Sequence, residues 1–271
     1  MKSRLTITLP DTLLTQVDDL VDKQTIRNRS HAIEHLIRLS LSPKISTAVI
    51  LAGGKKELAE HPLLKQINGE TLLLQMIQHL EQYGIKHFVI CTAHSNTALV
   101  TYLKSISLNV SVDFSYEKSP LGTAGALKQA EKYLQNDNPF LVIHGDILTD
   151  IKLDEVFDFH LEESTQATVI VKPKLAMKEY GQVFIQGNRV TTFSETGTDS
   201  GISLINTGVY VLSKEVLGLI SAQKPSFLET DIFPHLAKKN QLRAYFFQGL
   251  WYDISTPAQY QAAVSDWQNP T

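Results

Sequence analysis

The sequence has a single cysteine among its 271 residues and lacks any long uninterrupted run of apolar residues. One cysteine excludes an internal disulfide. Because Cys91 lies in the strand-like segment HFVICTA, we expect a buried structural thiol rather than a nucleophile. The missing apolar run argues against a membrane-spanning helix, and the opening residues MKSRLTITLP do not resemble a signal peptide. We therefore expect a cytoplasmic protein that does not associate with a membrane.

A strong excess of charge of either sign is also absent, since the formal net charge is -3. The small imbalance is unevenly distributed along the chain. Residues 1–44 carry seven Lys/Arg against five Asp/Glu, whereas the remaining residues carry 18 against 23. A slightly basic head on an acidic body hints at two modules with different partners.

The first forty residues predict a strand followed by two helices. The segment RLTITL alternates apolar and polar residues, as a short two-faced strand does. Asp11 can cap a first helix, and Ser30 is expected to start and cap a second. A unit of this size cannot bury its own apolar faces, so we expect it to dimerise.

This segment resembles the ribbon-helix-helix family of CopG-like repressors, through KSRLTITLP and the turn-Arg-Ser start of its second helix. The resemblance implies a small domain over residues 1–42 whose strands pair between two chains and enter the DNA major groove. It implies a homodimer or a dimer of dimers. The implied contacts to bases and phosphates come from Arg4, Thr6, Thr8, Arg29 and Ser30. The ribbon could instead serve only for dimerisation, because the low basic charge neutralises few phosphates.

The body, from residue 46 to residue 271, opens with a segment typical of a buried strand. TAVIL has no polar alternation, as expected for a central parallel strand covered on both faces. Gly53 and Gly54 follow it and allow the backbone to turn sharply and approach a ligand closely. A loop at this position can bind phosphate. A plain strand-to-helix turn is the alternative.

Strands and helices alternate after this loop, which predicts an α/β fold with a mostly parallel sheet. We expect helices over residues 71–83, 96–105 and 123–133, and strands over 88–92 and 110–116. The apolar strand FLVIH is followed by Gly145 and Asp146, so a carboxylate reaches the carboxyl edge of the sheet. A divalent cation bound to phosphate would sit there. A turn-capping role for Asp146 is the alternative.

The body resembles the sugar-1-phosphate nucleotidylyltransferases from about residue 46 to residue 267. The segments that carry the resemblance occur in the family's order: LAGG, PLL with NG, SPLGTAGAL, GDILTDI, YG, FSE, INTGVYVL, DIFPHL and WYDISTP. The resemblance implies a Rossmann-like, mixed but mostly parallel sheet with a sugar-binding half. It also implies a Mg²⁺-dependent reaction, in which a sugar phosphate attacks the α-phosphate of a nucleoside triphosphate and releases pyrophosphate.

The resemblance assigns roles to particular positions. The residues that would contact the base and the triphosphate are Leu51, Ala52, Gly53, Gly54, Glu117 and Gly122. The paired magnesium ligands would be Asp146 and Asp253, with Asp146 also counted as catalytic. The sugar pocket would be lined by Tyr180, Gly181, Glu195 and Asn206.

Three cations of the family pattern are missing from this sequence. The loop KKELAEHP after the glycine pair contains no arginine, although an arginine there would stabilise charge at the α-phosphate. His61 replaces a lysine, and Thr196 follows FSE where a second lysine is usual. Lys55 and Lys56 could act as catalytic cations in compensation, with Lys65 as a further candidate, although a solvated loop is the alternative.

Two hypotheses follow from this combination of retained and missing residues. The first is an enzyme that makes a nucleotide sugar and carries a head that binds DNA or only dimerises. The second is a pseudoenzyme, a ribbon-helix-helix regulator whose catalytically impaired body senses a nucleotide or a nucleotide sugar.

Overall fold

The computed structural model describes residues 6–23, 26–41, 45–53, 61–135, 137–175, 180–194, 201–222 and 224–267. The chain divides into two compact units, Met1–Pro43 and Lys44–Thr271. Within the described residues, no helix has the length and apolar character needed to cross a membrane.

The small unit contains two helices, α1 (Asp11–Asp19) and α2 (Arg29–Leu41). Among its apolar residues whose burial is described, only Val17 and Ala32 are buried, and the others are partly or well exposed. Of the expected strand, Arg4 and Leu5 lie outside the described residues, and residues 6–10 are irregular in this single chain. A strand needs a hydrogen-bonding partner, and a ribbon of this kind would take its partner from a second chain.

The start of α2 also differs from the expectation. The helix begins at Arg29 rather than Ser30. Asn28 provides the capping interaction, since its Oδ1 accepts a hydrogen bond from His31 N at 2.9 Å. Asparagine is as good an N-cap as serine, so the two positions compete and the earlier one is used.

The large unit is an α/β structure. Its helices are α3 (Leu72–Gln82), α4 (Thr97–Ser105), α5 (Gly122–Ala130), α6 (Leu153–Glu163), α7 (Phe233–Lys238) and α8 (Pro257–Asp266). Its strands are β1 (Thr47–Leu51), β2 (Gln66–Ile67), β3 (Glu70–Thr71), β4 (His87–Ala93), β5 (Ser111–Glu117), β6 (Phe140–His144), β7 (Ile147–Thr149), β8 (Ala167–Leu175), β9 (Gln182–Gln186), β10 (Arg189–Ser194), β11 (Ile202–Leu212), β12 (Leu242–Phe246) and β13 (Trp251–Asp253). The helices and strands expected up to β6 are confirmed, with ends that shift by one to three residues.

Within the described residues, nine strands form the main sheet, in the order β5-β4-β1-β6-β11-β8-β12-β10-β9. The first four run parallel to one another. From β11 onward most pairings are antiparallel, and only β8 and β12 pair in parallel. The predicted mixed sheet is therefore confirmed, but its mostly parallel character holds only for the first half. Strand β11 runs antiparallel to both β6 and β8, and β9 and β10 are joined by a two-residue turn that permits only antiparallel pairing.

Strand β1 lies at the centre of the parallel half and is buried along its whole length. Its side chains alternate between two hydrophobic cores. Ala48 and Ile50 pack on one face of the sheet, and Val49 and Leu51 pack on the other. Cys91 of β4 is buried in the second core, as expected. Both faces are covered, so ligands reach this half of the sheet only at its edges.

Strands β9 and β10 form a hairpin that the sequence reasoning missed. Gln186 pairs with Arg189, so only Gly187 and Asn188 form the loop. Gly187 adopts a φ of 62°, which is typical of a two-residue hairpin turn. The Gly-Asn pair between alternating apolar residues could have identified this hairpin from the sequence.

A buried histidine makes the stability of the large unit depend on pH. His160 of α6 is 3% exposed. Its Nδ1 lies 2.9 Å from Thr168 Oγ1. Burial lowers the pKa of His160 to about 4. An unfolded histidine titrates near 6.5. The stabilisation that comes from keeping His160 neutral is therefore fully present above pH 6.5 and is lost as the pH falls toward 4.

We therefore predict that H160Q flattens the pH dependence of unfolding. Between pH 7 and pH 5 the wild-type protein should lose about 2 kcal/mol more stability than the variant, because only its unfolded state gains a proton at this site. Urea unfolding at the two pH values measures this difference. H235Q, which changes an exposed ring on α7, should behave as the wild type. Equal losses in H160Q and the wild type would contradict the prediction.

Candidate functional site

A cavity of about 450 Å³ lies at the carboxyl ends of β1, β5 and β6. Its lining residues are Leu51, Gly53, Glu117, Pro120, Gly122, Thr123, Ala126, His144, Asp146, Pro225 and Phe227. Five of these are residues that the sequence assigned to nucleotide or metal binding. The edge of the sheet therefore gathers side chains from four separate segments of the chain around one space.

Glu117 ends β5 and places its carboxylate at this cavity. Its Oε2 accepts a hydrogen bond from Leu121 N at 2.9 Å. A Cβ atom added at Gly53 would lie 3.0 Å from Glu117 Oε1, closer than an ordinary van der Waals contact. The glycine thus allows the loop after β1 to approach this carboxylate. Burial raises the pKa of Glu117.

The start of α5 is held against the segment around Ser226. Gly122 has a φ of +73°, and a Cβ atom there would collide with Ser226 O. Ser226 O accepts hydrogen bonds from Ala124 N and Gly125 N, at 3.0 and 3.2 Å. These two amides are therefore satisfied within the protein. They are not available to a ligand, because a neighbouring carbonyl caps them instead.

A buried carboxylate, Glu229, connects the elements around the cavity. Its Oε2 accepts a hydrogen bond from Thr123 Oγ1 at 2.6 Å, and its Oε1 accepts one from Tyr210 Oη at 3.0 Å. His144 Nε2 lies 3.4 Å from the same Oε1. Burial opposes ionisation of Glu229, but His144 and Thr123 outweigh it and lower the pKa of Glu229. Helix α5 and strands β6 and β11 are thus joined by one charged group.

Sequence reasoning missed both Glu229 and His144. His144 directly precedes the predicted Gly145-Asp146 turn, and Glu229 lies in the apolar segment FLETDIF. An acidic residue in such an apolar segment is usually buried only when its charge is paired. The position of Glu229 could therefore have indicated a buried, paired carboxylate. Burial disfavours the charged imidazole, but the charges of Glu229, Asp146 and Asp253 outweigh it and raise the pKa of His144.

Asp146 and Asp253 are brought together by two short strands. β7 pairs antiparallel with β13, with Asp253 opposite Ile147. Ile254 N donates a hydrogen bond to Asp146 O at 2.9 Å. Burial raises the pKa of Asp146; His144 opposes this shift, and the charge of Asp253 adds to it. The two carboxylates are therefore close enough to repel each other.

This pair fits a magnesium ion that also binds phosphate. Mg²⁺ prefers oxygen ligands and is usually held by one or two carboxylates, with phosphate and water completing the octahedron. Among the residues described, no group of three or more His, Cys, Asp or Glu side chains could hold a metal by itself. A cation bound between the two carboxylates would relieve their repulsion, and a nucleotide would supply its remaining ligands.

His61 does not supply a cation at this edge. Its Nε2 lies 3.0 Å from Ala52 O, and its Nδ1 accepts a hydrogen bond from Leu63 N at 3.2 Å. The neutral ring with the proton on Nε2 satisfies both contacts. Burial lowers the pKa of His61, although its contact with Ala52 O and the charge of Asp146 oppose this shift. This residue fixes the end of β1 instead.

Lys65, the third candidate cation, is anchored beside the metal pair. Its Nζ donates a hydrogen bond to Ile254 O at 2.9 Å and lies 5.0 Å from the ring centre of Tyr260. The ammonium group therefore lies next to the residue that follows Asp253. It contributes positive charge near the carboxylates, and its bond to Ile254 O ties α8 and the segment before it to β2.

Three of the predicted sugar-pocket residues, Tyr180, Gly181 and Asn206, lie where β9 and β11 converge. Tyr180 is buried, and its Oη accepts a hydrogen bond from Gln259 Nε2 at 2.6 Å. Gly181 O accepts a hydrogen bond from Asn206 N at 3.0 Å. The Asn206 side chain donates to Tyr210 Oη at 2.7 Å and accepts from Gly208 N at 3.1 Å. Asn206 thus extends the polar network of Glu229 toward the sugar side.

Several of the predicted site residues lie outside the described part of the chain, namely Arg4, Gly54, Lys55, Lys56 and Glu195. Of the predicted DNA contacts that are described, Thr6 and Thr8 are exposed. Arg29 forms a bidentate ion pair with Asp18, with nitrogen–oxygen distances of 2.7 and 2.5 Å.

The family model described as Nucleotidyl transferase matches residues 47–269. A mannose-1-phosphate guanyltransferase of Aspergillus oryzae is 30% identical over 203 residues, which is 73% of this chain and 56% of that relative. The chain therefore spans little more than half the length of that relative.

Similar solved structures include HddC from Yersinia pseudotuberculosis. It is 25% identical, with a TM-score of 0.72, and the match covers 83% of this chain and 100% of that chain. The structure of HddC complexed with GMP-PN matches with a TM-score of 0.70 at the same identity and coverage.

Two glycines with positive φ allow a matched test of the α5 start. G122A should destabilise the large unit by about 2–4 kcal/mol and abolish nucleotide binding, because it adds a collision with Ser226 O to the cost of a positive φ. G187A has open space around it and should cost about 1–2 kcal/mol. Thermal unfolding and nucleotide titration measure both effects. Equal losses in the two variants would show that the contact with Ser226 contributes nothing.

Proposed function

Because the chain belongs to the nucleotidyl transferase family, we propose that its large unit joins a guanine nucleotide to a hexose 1-phosphate. The substrates would be GTP and the sugar phosphate, and the products a GDP-sugar and pyrophosphate. The observation that carries the proposal is the cavity at the edge of the sheet, which combines Glu117 with Asp146 and lies next to Asp253.

Glu117 supports guanine as the base. The base edge of guanine presents two neighbouring donors, N1–H and the N2 amino group, and a carboxylate is an acceptor-only group that can receive both. Adenine, cytosine, uracil and thymine each present an acceptor on the corresponding edge. The relative from Aspergillus oryzae is a guanyltransferase, which agrees with this chemistry.

The reaction would be an in-line displacement at the α-phosphate. An oxygen of the sugar phosphate forms a bond to the α-phosphorus, and the bond from that phosphorus to the bridging oxygen of the β-phosphate breaks. A bound Mg²⁺ would neutralise charge on the phosphates. Asp146 and Asp253 would hold that ion, while Glu117 and the loop after β1 would fix the base and orient the α-phosphate.

A second candidate function is a regulator that binds DNA through its small unit and senses the nucleotide. Two observations favour it: the sequence lacks three cations of the family pattern, and the small unit has exposed apolar residues. Leu13 of α1, Leu20 directly after it, and Leu36 and Ile37 of α2 are between 39% and 47% exposed. A second copy of the small unit would cover them in a homodimer, or in a dimer of dimers, and would supply the partner for a paired ribbon.

Pyrophosphate release tests the first candidate. With Mg²⁺ and a panel of hexose 1-phosphates, GTP should support release at least about tenfold better than ATP, CTP, UTP or dTTP. D146N should reduce the rate by about a hundredfold or more, because the metal site loses a charge. Release that is independent of Asp146, or absent with every nucleotide, would overturn the enzymatic proposal. If no nucleotide supports release, thermal stabilisation of the protein by GTP would support the regulator.

Binding of a labelled short DNA duplex tests the second candidate. At about 50 mM salt the full chain should bind the duplex, and the affinity should fall steeply as salt is added. R29Q should weaken binding severalfold, whereas K104Q, on α4 of the large unit, should not. Saturating GTP should change the dissociation constant at fixed salt. Fluorescence anisotropy reports both effects. Unchanged affinity with GTP would eliminate sensing, and no binding at all would eliminate the DNA role.

A further inference from the structure

Phe227 presents an aromatic ring to the cavity at the edge of the sheet. It lines the cavity together with Glu117, Pro120 and Gly122. The residue is 48% exposed, although Leu228, which follows it, is completely buried. A large apolar side chain that is half exposed in a cavity can be covered by a flat ligand, and covering it removes apolar surface from water.

The ring lies at the same end of the cavity as the carboxylate of Glu117. A Cβ atom added at Gly122 would lie 3.0 Å from Phe227 Cε1 and 3.1 Å from Phe227 Cδ1. The missing side chain of this glycine therefore leaves space for the ring. Leu121, directly before the glycine, donates its backbone hydrogen bond to Glu117 Oε2. A flat group that is hydrogen-bonded to Glu117 thus lies within reach of the ring.

The backbone on both sides of Phe227 is fixed to the segment that starts α5. Ser226 N donates a hydrogen bond to Leu121 O at 2.8 Å. Leu228 N donates one to Thr123 Oγ1, also at 2.8 Å. A side chain whose backbone is held in this way is in position before a ligand arrives, and this lowers the entropic cost of binding.

Phe227 also begins a local unit that carries the buried Glu229. Its N donates a hydrogen bond to Asp231 Oδ2 at 2.8 Å, and its O accepts one from Asp231 N at 3.0 Å. The residues that follow, Leu228–Ile232, form a turn of π-helix. Such turns are rare and occur frequently at functional sites, which agrees with a ligand contact at Phe227.

The chemistry of a phenyl ring favours contact with a base rather than with a phosphate or a sugar hydroxyl. The ring carries no charge and no hydrogen-bonding group, so it cannot bind those groups specifically. Every nucleobase has a π face, and stacking on an aromatic side chain adds affinity with little preference for one base. The ring would therefore complement Glu117, whose carboxylate contacts the edge of the base.

We propose that Phe227 stacks on the guanine base of the bound nucleotide and holds it in the plane in which its edge meets Glu117. This inference rests on the proposed function. It divides recognition of the base between two side chains: the ring supplies affinity, and the carboxylate supplies selectivity.

Calorimetric titration of the full chain in the presence of Mg²⁺ tests this assignment. The ligands are a GTP analogue with a methylene α–β bridge, which prevents turnover, and inorganic triphosphate, which has no base. F227A should weaken binding of the GTP analogue by about tenfold or more and leave binding of triphosphate unchanged. F227Y should restore most of the affinity, whereas F227L, which is apolar but lacks a π face, should restore little.

A matched control is available on β9. Phe184 is 51% exposed, close to the exposure of Phe227, and is not among the residues that line the cavity. F184A should therefore bind the GTP analogue as the wild type does.

A tryptophan at the same position gives a spectroscopic test that does not depend on loss of affinity. The GTP analogue should quench the fluorescence of F227W more than that of the wild type, because a stacked guanine quenches an indole. Triphosphate should not produce this additional quenching. F184W is the control and should respond as the wild type does.

The outcomes separate this inference from the proposed function. Wild-type affinity for the GTP analogue in F227A, or no additional quenching in F227W, would overturn the stacking role and leave the proposed function intact. Failure of the wild type to bind the GTP analogue would overturn both. Equal loss of triphosphate and GTP-analogue binding in F227A would show a general structural defect, and the assignment of Phe227 would also fall.

Discussion

The site depends on holding two carboxylates close together against their mutual repulsion. The antiparallel pairing of β7 with β13 forces Asp253 toward Asp146, and the bond from Ile254 N to Asp146 O fixes the distance between the two segments. Repulsion between like charges in a buried setting favours a protonated or metal-bound pair. The stability of the surrounding sheet therefore maintains a repelling pair of carboxylates, which a cation bound to phosphate would neutralise.

A second constraint is the close approach of backbone segments around the cavity. Gly53 and Gly122 bring two loops to positions where a side chain would meet Glu117 or Ser226. Glu229 also connects α5 to β6 and β11 through its contacts with Thr123, His144 and Tyr210. A buried, paired charge of this kind is costly to disturb. The cavity is therefore rigid where the base would lie, and the polar network continues through Tyr210 to Asn206 on the sugar side.

Much of the parallel half of the sheet could be predicted from the sequence, because buried parallel strands have unbroken apolar segments such as TAVIL. The nucleotide and metal residues of the family pattern also lie at one edge, since they follow strands that run in the same direction. The second half was harder to predict, because short antiparallel strands give weak patterns. The capping role of Asn28 could not be separated from that of Ser30, since both residues suit an N-cap. Glu229 depends on contacts between distant segments, which no local pattern records.

The missing cations are the unusual feature of this chain. His61 is used to fix the end of β1, while Lys65 places positive charge beside the segment that follows β13. We propose that a guanine nucleotide and a metal meet at Asp146 and Asp253. A crystal structure with Mg²⁺ and the methylene-bridged GTP analogue tests it most directly. We predict a metal that contacts both aspartates and a phosphate, with the guanine edge against Glu117. A nucleotide bound elsewhere, or a metal held by neither aspartate, would contradict the account.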